Sequence, residues 1–164
     1  MQTLTDLLEF RPERCFSVGS ATELCVNLRS GELTLRHRDP EFLPKRPGVF
    51  SGEFRSHDPD LKKFAGQRRS MARLGVEAVW DVEDRLVSVK HPETGLLSIL
   101  YDGMYSVAEV MFAACGRRIC TEFSYAETMT EVVDMGGYTT IYHFDPGGRL
   151  VAITGPMGQR WLPA

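Results

Sequence analysis

Four histidines, four cysteines and a set of regularly placed aspartates are the residues of this sequence whose types could do chemistry. His37, His57, His91 and His143 fall at none of the spacings, HxxxH or HExxH among them, that set two imidazoles around a metal. Cys15, Cys25, Cys115 and Cys120 stand far apart or at non-ligand spacing. A chain of this length builds a core without disulfide staples, so reduced thiols and no metal site are expected. Cys115-Gly116-Arg117-Arg118 puts a thiol beside two cations, which lowers a thiol pKa, yet no motif supplies it with a base. The sequence has no GxSxG, no GxxxxGK and no GxGxxG. Asp81, Asp102 and Asp145 recur at a repeat interval, the mark of turn-capping residues and not of an acid pair. The expectation is a non-enzymatic protein with no catalytic residue and no cofactor.

Charge narrows the choice of partner. Of 164 residues, 43% are hydrophobic and 25% charged, a balance that supports one globular core. The net charge of −3 hides an asymmetry: residues 1–76 carry 13 Lys/Arg against 10 Asp/Glu, and residues 77–164 carry 6 against 12. Lys62, Lys63, Arg68, Arg69 and Arg73 fall in an acid-free stretch that could read phosphates. No aromatics interleave those cations and the whole chain is acidic, so a solvated helix face is expected there and nucleic acid is not. No run reaches the length of a membrane span, and the N-terminus lacks a basic region leading into an apolar one. A cytoplasmic protein without membrane contact is expected.

The elements that must position these residues are mostly strands. Thr5–Phe10 suits a short helix that stops before Arg11-Pro12. Cys15–Val18, Glu23–Leu28 and Glu32–His37 read as strands, with a turn at Arg29-Ser30-Gly31, and Pro40, Pro44 and Pro47 make residues 39–48 a loop. Asp58 and Pro59 begin a helix that runs to Leu74 and ends at Gly75.

Residues 80–160 carry an internal period. Gly95, Gly116, Gly137 and Gly158 are each 21 residues apart. On that frame Trp80-Asp81, Tyr101-Asp102 and Phe144-Asp145 coincide, and Leu86, Val107 and Leu150 follow each aromatic by six residues. The third copy begins at Tyr125-Ala126 and rejoins the register at Val132 and Asp134. Each unit reads as a strand ending in an aromatic, a tight turn, a second strand and a glycine turn. In Asp145-Pro146-Gly147-Gly148 the Asp bonds its own backbone, Pro presets φ, and Gly supplies positive φ.

The run from Phe144 to Gly158 resembles the YD or Rhs repeat: aromatic-Asp-x-x-Gly-Arg-Leu, a Val or Ile, then Pro-x-Gly. Trp80-Asp81 with Arg85-Leu86, Pro92 and Gly95 is a looser match, and the two inner copies lack the Arg-Leu pair. Ser30–Leu35, Asp39, Leu43-Pro44 and Arg55 are similar to the segment that opens the repeats in large Rhs toxins. The resemblance implies a mainly β fold: an antiparallel sheet built from four tandem YD-type hairpin repeats, with one or two short helices in the N-terminal half. One domain would span 1–164, residues 1–76 covering an array at 77–164. Residues 15–38 would pair with or cover one end of that array, and Trp161 would pack on the other. Asp81, Gly95, Asp102, Gly116, Gly137, Asp145, Gly148 and Gly158 are its structural turn residues.

In Rhs proteins the strands spiral into a shell around a toxic domain, and four copies are too few to close one. What the resemblance implies is a fold and a neighbourhood, not an activity; together with the acidic repeat half and the small size it leads to the expectation of a protein-binding role in a bacterial Rhs or polymorphic-toxin system. The leading expectation is an immunity protein that neutralises a cognate toxin, a basic nuclease being the complementary type. Glu122, Glu127, Glu131 and Asp134, crowded into the aberrant third copy, are the expected contact residues. A truncated shell piece or a carbohydrate-binding YD module is the alternative.

Overall fold

The computed structural model describes residues 12–19, 21–37, 52–57, 65–103, 105–114 and 116–162. The expected N-terminal helix at 5–10, the loop at 39–48 and the helix start at 58–64 lie outside them. The fold is mainly β and antiparallel throughout, in two sheets.

The first sheet holds β1 (Glu13–Val18), β2 (Thr22–Asn27), β3 (Leu33–His37) and β4 (Gly52–Arg55), paired in chain order. Alternation divides its faces. Phe16, Leu24, Val26, Leu33, Leu35 and Phe54 point inward, whereas Glu13, Cys15, Cys25 and Arg36 share the opposite face. The inner face carries one buried polar pair, Thr22 Oγ1 and a His37 Nδ1 2.8 Å away, which satisfies an otherwise costly buried imidazole.

One helix follows, α1 (Ala65–Arg73). It ends in a Schellman motif: Val76 N–H donates to Met71 O at 2.9 Å and Gly75 N–H to Ala72 O at 3.1 Å, with Gly75 at φ 82°. Met71 and Val76 are both buried, the apolar contact that goes with this cap. Gly75 therefore stands where the sequence places the helix stop.

The second sheet is a nine-stranded meander: β5 (Glu77–Trp80), β6 (Leu86–His91), β7 (Gly95–Tyr101), β8 (Val107–Ala114), β9 (Arg117–Tyr125), β10 (Met129–Val133), β11 (Thr139–Phe144), β12 (Leu150–Thr154) and β13 (Arg160–Trp161). Each strand pairs with its sequence neighbours, so alternate turns lie at opposite ends of the sheet. Gly95, Gly116, Gly137 and Gly158 all fall at one end, each with positive φ. Trp80, Tyr101 and Phe144 fall at the other end, each next to a β-bulge and directly opposite Leu86, Val107 and Leu150. The six-residue spacing is thus a cross-strand pair closed by a tight turn.

One continuous core joins the sheets and the helix. Val18, Leu24, Leu33, Leu35, Phe54 and Met71 pack with Leu86, Val89, Leu97, Ile99, Val107, Val110 and Phe123. At roughly 1.5–3 kcal/mol per fully buried aliphatic side chain, this contact stabilises hairpins that are marginal alone. The β2–β3 turn meets the β7–β8 turn, where Val107 N–H donates to Gly31 O at 2.9 Å and Ser106 Oγ to Ser30 O at 2.7 Å. At the other end of the sheets Gly19 N–H reaches Thr94 Oγ1 at 3.3 Å. The strands of the two sheets therefore run along the same line, as in an aligned sandwich.

Two expectations about the array's ends differ from what is seen. Residues 15–37 form their own sheet over the face of the meander and add no strand to its edge. Trp161 pairs by backbone with Ile153, but its side chain stays 45% exposed, since β13 has two residues and nothing described lies beyond it to bury an indole.

Candidate functional site

The turn chemistry builds one recurrent structure. Asp81, Asp102, Asp134 and Asp145 each accept, through Oδ1, the N–H four residues on, at 2.9–3.0 Å. In each turn the backbone N–H of the Asp also donates to the carbonyl of that fourth residue. The position between them is left-handed: Asp84 (φ 61°), Tyr105 (φ 62°), Gly137 (φ 79°) and Gly148 (φ 88°). Gly155 to Gln159 closes the same backbone ring with Gly158 at φ 81°, without an aspartate. Burial opposes ionisation of Asp81, but the backbone donors of Arg85 and Glu83 and the Arg85 guanidinium outweigh it and lower its pKa.

Arg85 links one turn to the next. Its Nε donates to Asp81 Oδ2 at 2.8 Å, and its guanidinium lies 5.4 Å from the centre of the Tyr101 ring and 4.9 Å from that of Tyr105. Tyr101 Oη in turn donates to Leu86 O, and Tyr125 Oη to Val107 O, both at 2.7 Å.

The four expected contact residues do not form one patch. Glu122 is exposed on the outer face of β9, and Glu131 is half-buried in β10, diagonal to it. Glu127 lies in the β9–β10 turn and Asp134 in the β10–β11 turn, at opposite ends of β10. Asp134 Oδ1 is occupied by Gly136 N–H at 2.9 Å and Tyr138 N–H at 3.0 Å, so it is a turn residue of the same kind as Asp145. The sequence reading missed Glu109, which sits directly opposite Glu122 on β8. Glu109, Glu122 and Glu131 thus make an outer acidic face on three adjacent strands. Cys120 lies in it, its thiol pKa pushed up by burial and by the neighbouring carboxylates of Glu109 and Glu122 against the pull of Arg118. That thiol is protonated and poorly nucleophilic.

The basic segment is partly described. Arg68, Arg69, Met71, Val76, Ala78 and Trp80 line a groove of about 530 Å³ between α1 and β5. The Arg68 guanidinium covers the Trp80 ring at 4.5 Å. Glu77 lines it as well.

A correction concerns the thiols. Cys15 and Cys25 form a disulfide across β1 and β2, where the expectation was four reduced cysteines. The physical reason is the hairpin: a turn centred near residue 20 sets positions 15 and 25 directly opposite. The two strands were legible, and folding them about that turn would have found the pair. Among the described residues, Glu13, Cys15 and Cys25 are the group of three whose ligand atoms come within 4.8 Å of one another. The two sulfurs are bonded to each other and Arg36 occupies the Glu13 carboxylate at 2.7 Å, which favours sulfur chemistry over a cation.

No family model matches the sequence, and no curated protein matches it.

Proposed function

We propose that this protein is a non-catalytic YD-type β module that works by binding another protein through the outer face of β8–β10. In a Rhs-type toxin system that partner is the cognate toxin, a basic domain, and the chain acts as its immunity protein. The observation that carries the reading is Glu109 opposite Glu122. Like charges on directly paired positions cost stability, and a basic partner would turn that cost into attraction. A cytoplasmic setting belongs to the same proposal; among the described residues no helix is long and apolar enough to cross a membrane. A reducing setting of that kind would hold the Cys15–Cys25 bond in exchange with cellular thiols.

A second reading, a piece of Rhs-type shell built from four tandem hairpin repeats, is favoured by the Tyr101–Leu86 and Tyr125–Val107 bonds. Each ties an aromatic to the residue that follows the preceding aromatic by six, a device that propagates a stack. The test is association of the purified chain with a Rhs toxin domain, against the repeat region of the same Rhs protein, taken from the neighbouring gene where one is encoded there. Binding to the toxin domain supports immunity, binding to the repeats supports the shell, and binding to neither overturns both.

A further inference from the structure

We infer that Cys15 and Cys25 form a thiol-exchange site, at which a low-molecular-weight thiol of the glutathione class is captured on Cys15 while Cys25 leaves as a thiolate. Three observations support it. The first is asymmetric access. Cys15 is exposed on β1, an edge strand of its sheet, whereas Cys25 is 1% exposed on β2. Displacement at sulfur runs in line with the bond being broken, so the sulfur that faces solvent is the one attacked and the buried sulfur is the one that leaves.

The second is a cation at the leaving group. Arg36 Nη1 lies 3.6 Å from Cys25 Sγ. A thiolate released into a buried position is disfavoured by desolvation, and a guanidinium donor beside it lowers its pKa and speeds its departure. The third is the treatment of Glu13, which shares the Arg36 guanidinium with Glu23, whose Oε1 lies 3.4 Å from Nη1. Glu13 Oε2 is 3.9 Å from Cys15 Sγ, close enough to repel an incoming thiolate. Both of its oxygens are held by Arg36, Oε1 by Nη2 at 2.7 Å and Oε2 by Nη1 at 2.9 Å, which reduces that repulsion.

The step balances without an external oxidant. The attacking thiolate bonds to Cys15 Sγ, the Cys15–Cys25 bond breaks, and its electron pair stays on Cys25. The reverse attack by the Cys25 thiolate expels the captured thiol and restores the bond. The two cysteines also lie on a backbone-paired β1–β2 ladder from Glu13↔Asn27 to Val18↔Thr22, which ties the strands independently of the disulfide, so opening is expected without unfolding.

The test treats the folded full chain with reduced glutathione, quenches in acid and reads the adduct by fragmenting the tryptic peptide that runs from Cys15 to Arg29. A glutathione adduct on Cys15, with Cys25 as free thiol, is the expected result. Opening in Arg36→Gln should be slower by about fivefold or more, with Arg36→Lys keeping most of the wild-type rate. An adduct on Cys25, equal labelling of both, opening that needs denaturant, or an Arg36→Gln rate equal to wild type would overturn the inference. If Arg36→Gln fails to fold, the position of the adduct on the wild-type chain decides the matter alone.

Discussion

Tyr101 donates its phenolic proton to the Leu86 carbonyl at 2.7 Å, across the β6–β7 boundary of the meander. Tyr125 does the same to Val107 O, so one bond recurs between successive aromatic turns. Burial pushes both phenols well above the ordinary value of 10.0. Tyr125→Phe leaves a carbonyl without this donor and should lower unfolding stability by about 1–2 kcal/mol in a urea titration. The pH dependence has a definite sign. A phenol whose folded pKa is raised contributes stability that is intact below pH 10 and lost above it. Wild type should therefore weaken faster than Tyr125→Phe as pH rises past 10, and parallel curves would show that the phenol is not the group involved.

Asp81 has the opposite sign. Its folded pKa is lowered from 3.8, so its contribution is present above that value and disappears as pH falls below it. The stability gap between wild type and Asp81→Asn, wide at neutral pH, should close under acid conditions. Thermal unfolding of both proteins from pH 7 to pH 2.5 measures it. A gap that stays constant would mean that the turn depends on hydrogen bonding and not on charge.

Much of this was legible because turns carry their chemistry in sequence. The 21-residue glycines mark turns at one end of the meander, and Gly75 marks the end of α1. Asp134-Met135-Gly136-Gly137 matches Asp145-Pro146-Gly147-Gly148, so its turn role could have been read in place of a binding role. What was not legible depends on register. Glu109 and Glu122 are 13 residues apart, and only the β8–β9 pairing makes them neighbours. That residues 15–37 form a separate sheet was likewise invisible, because strand patterning shows which side chains alternate and not which edge they join.

Backbone conformation and close approach separate two glycines. Gly31 has φ 75° and sits where the two sheets touch: a methyl there would strike Ser106 Cβ and the Tyr125 ring. Gly137 has φ 79° with open space around it. Gly137→Ala should cost only the left-handed penalty, about 1–2 kcal/mol. Gly31→Ala adds steric strain at the sandwich contact and should cost more than about 3 kcal/mol. Chemical denaturation of the two variants ranks them, and equal losses would show that the β2–β3 turn yields without disturbing the packing.

Glu109 and Glu122 set stability against binding. They occupy directly opposed positions on β8 and β9, and Glu131 adds a third carboxylate diagonally. Cross-strand like charges are worth a few tenths of a kcal/mol of repulsion, roughly 0.2–1. Glu122→Gln should therefore raise the unfolding midpoint slightly, whereas a change at an ordinary surface site would leave it unmoved. On the proposed binding surface the same substitution should slow association with the basic partner. Long-range attraction acts mainly on the association rate and is screened by salt, so the loss should be largest at low ionic strength and shrink at high. Stopped-flow association at two salt concentrations, run beside thermal melts, reads both quantities from one protein. A variant that is more stable but slower to bind is the expected outcome, and a variant that is more stable and binds at the wild-type rate would remove β8–β10 as the contact face.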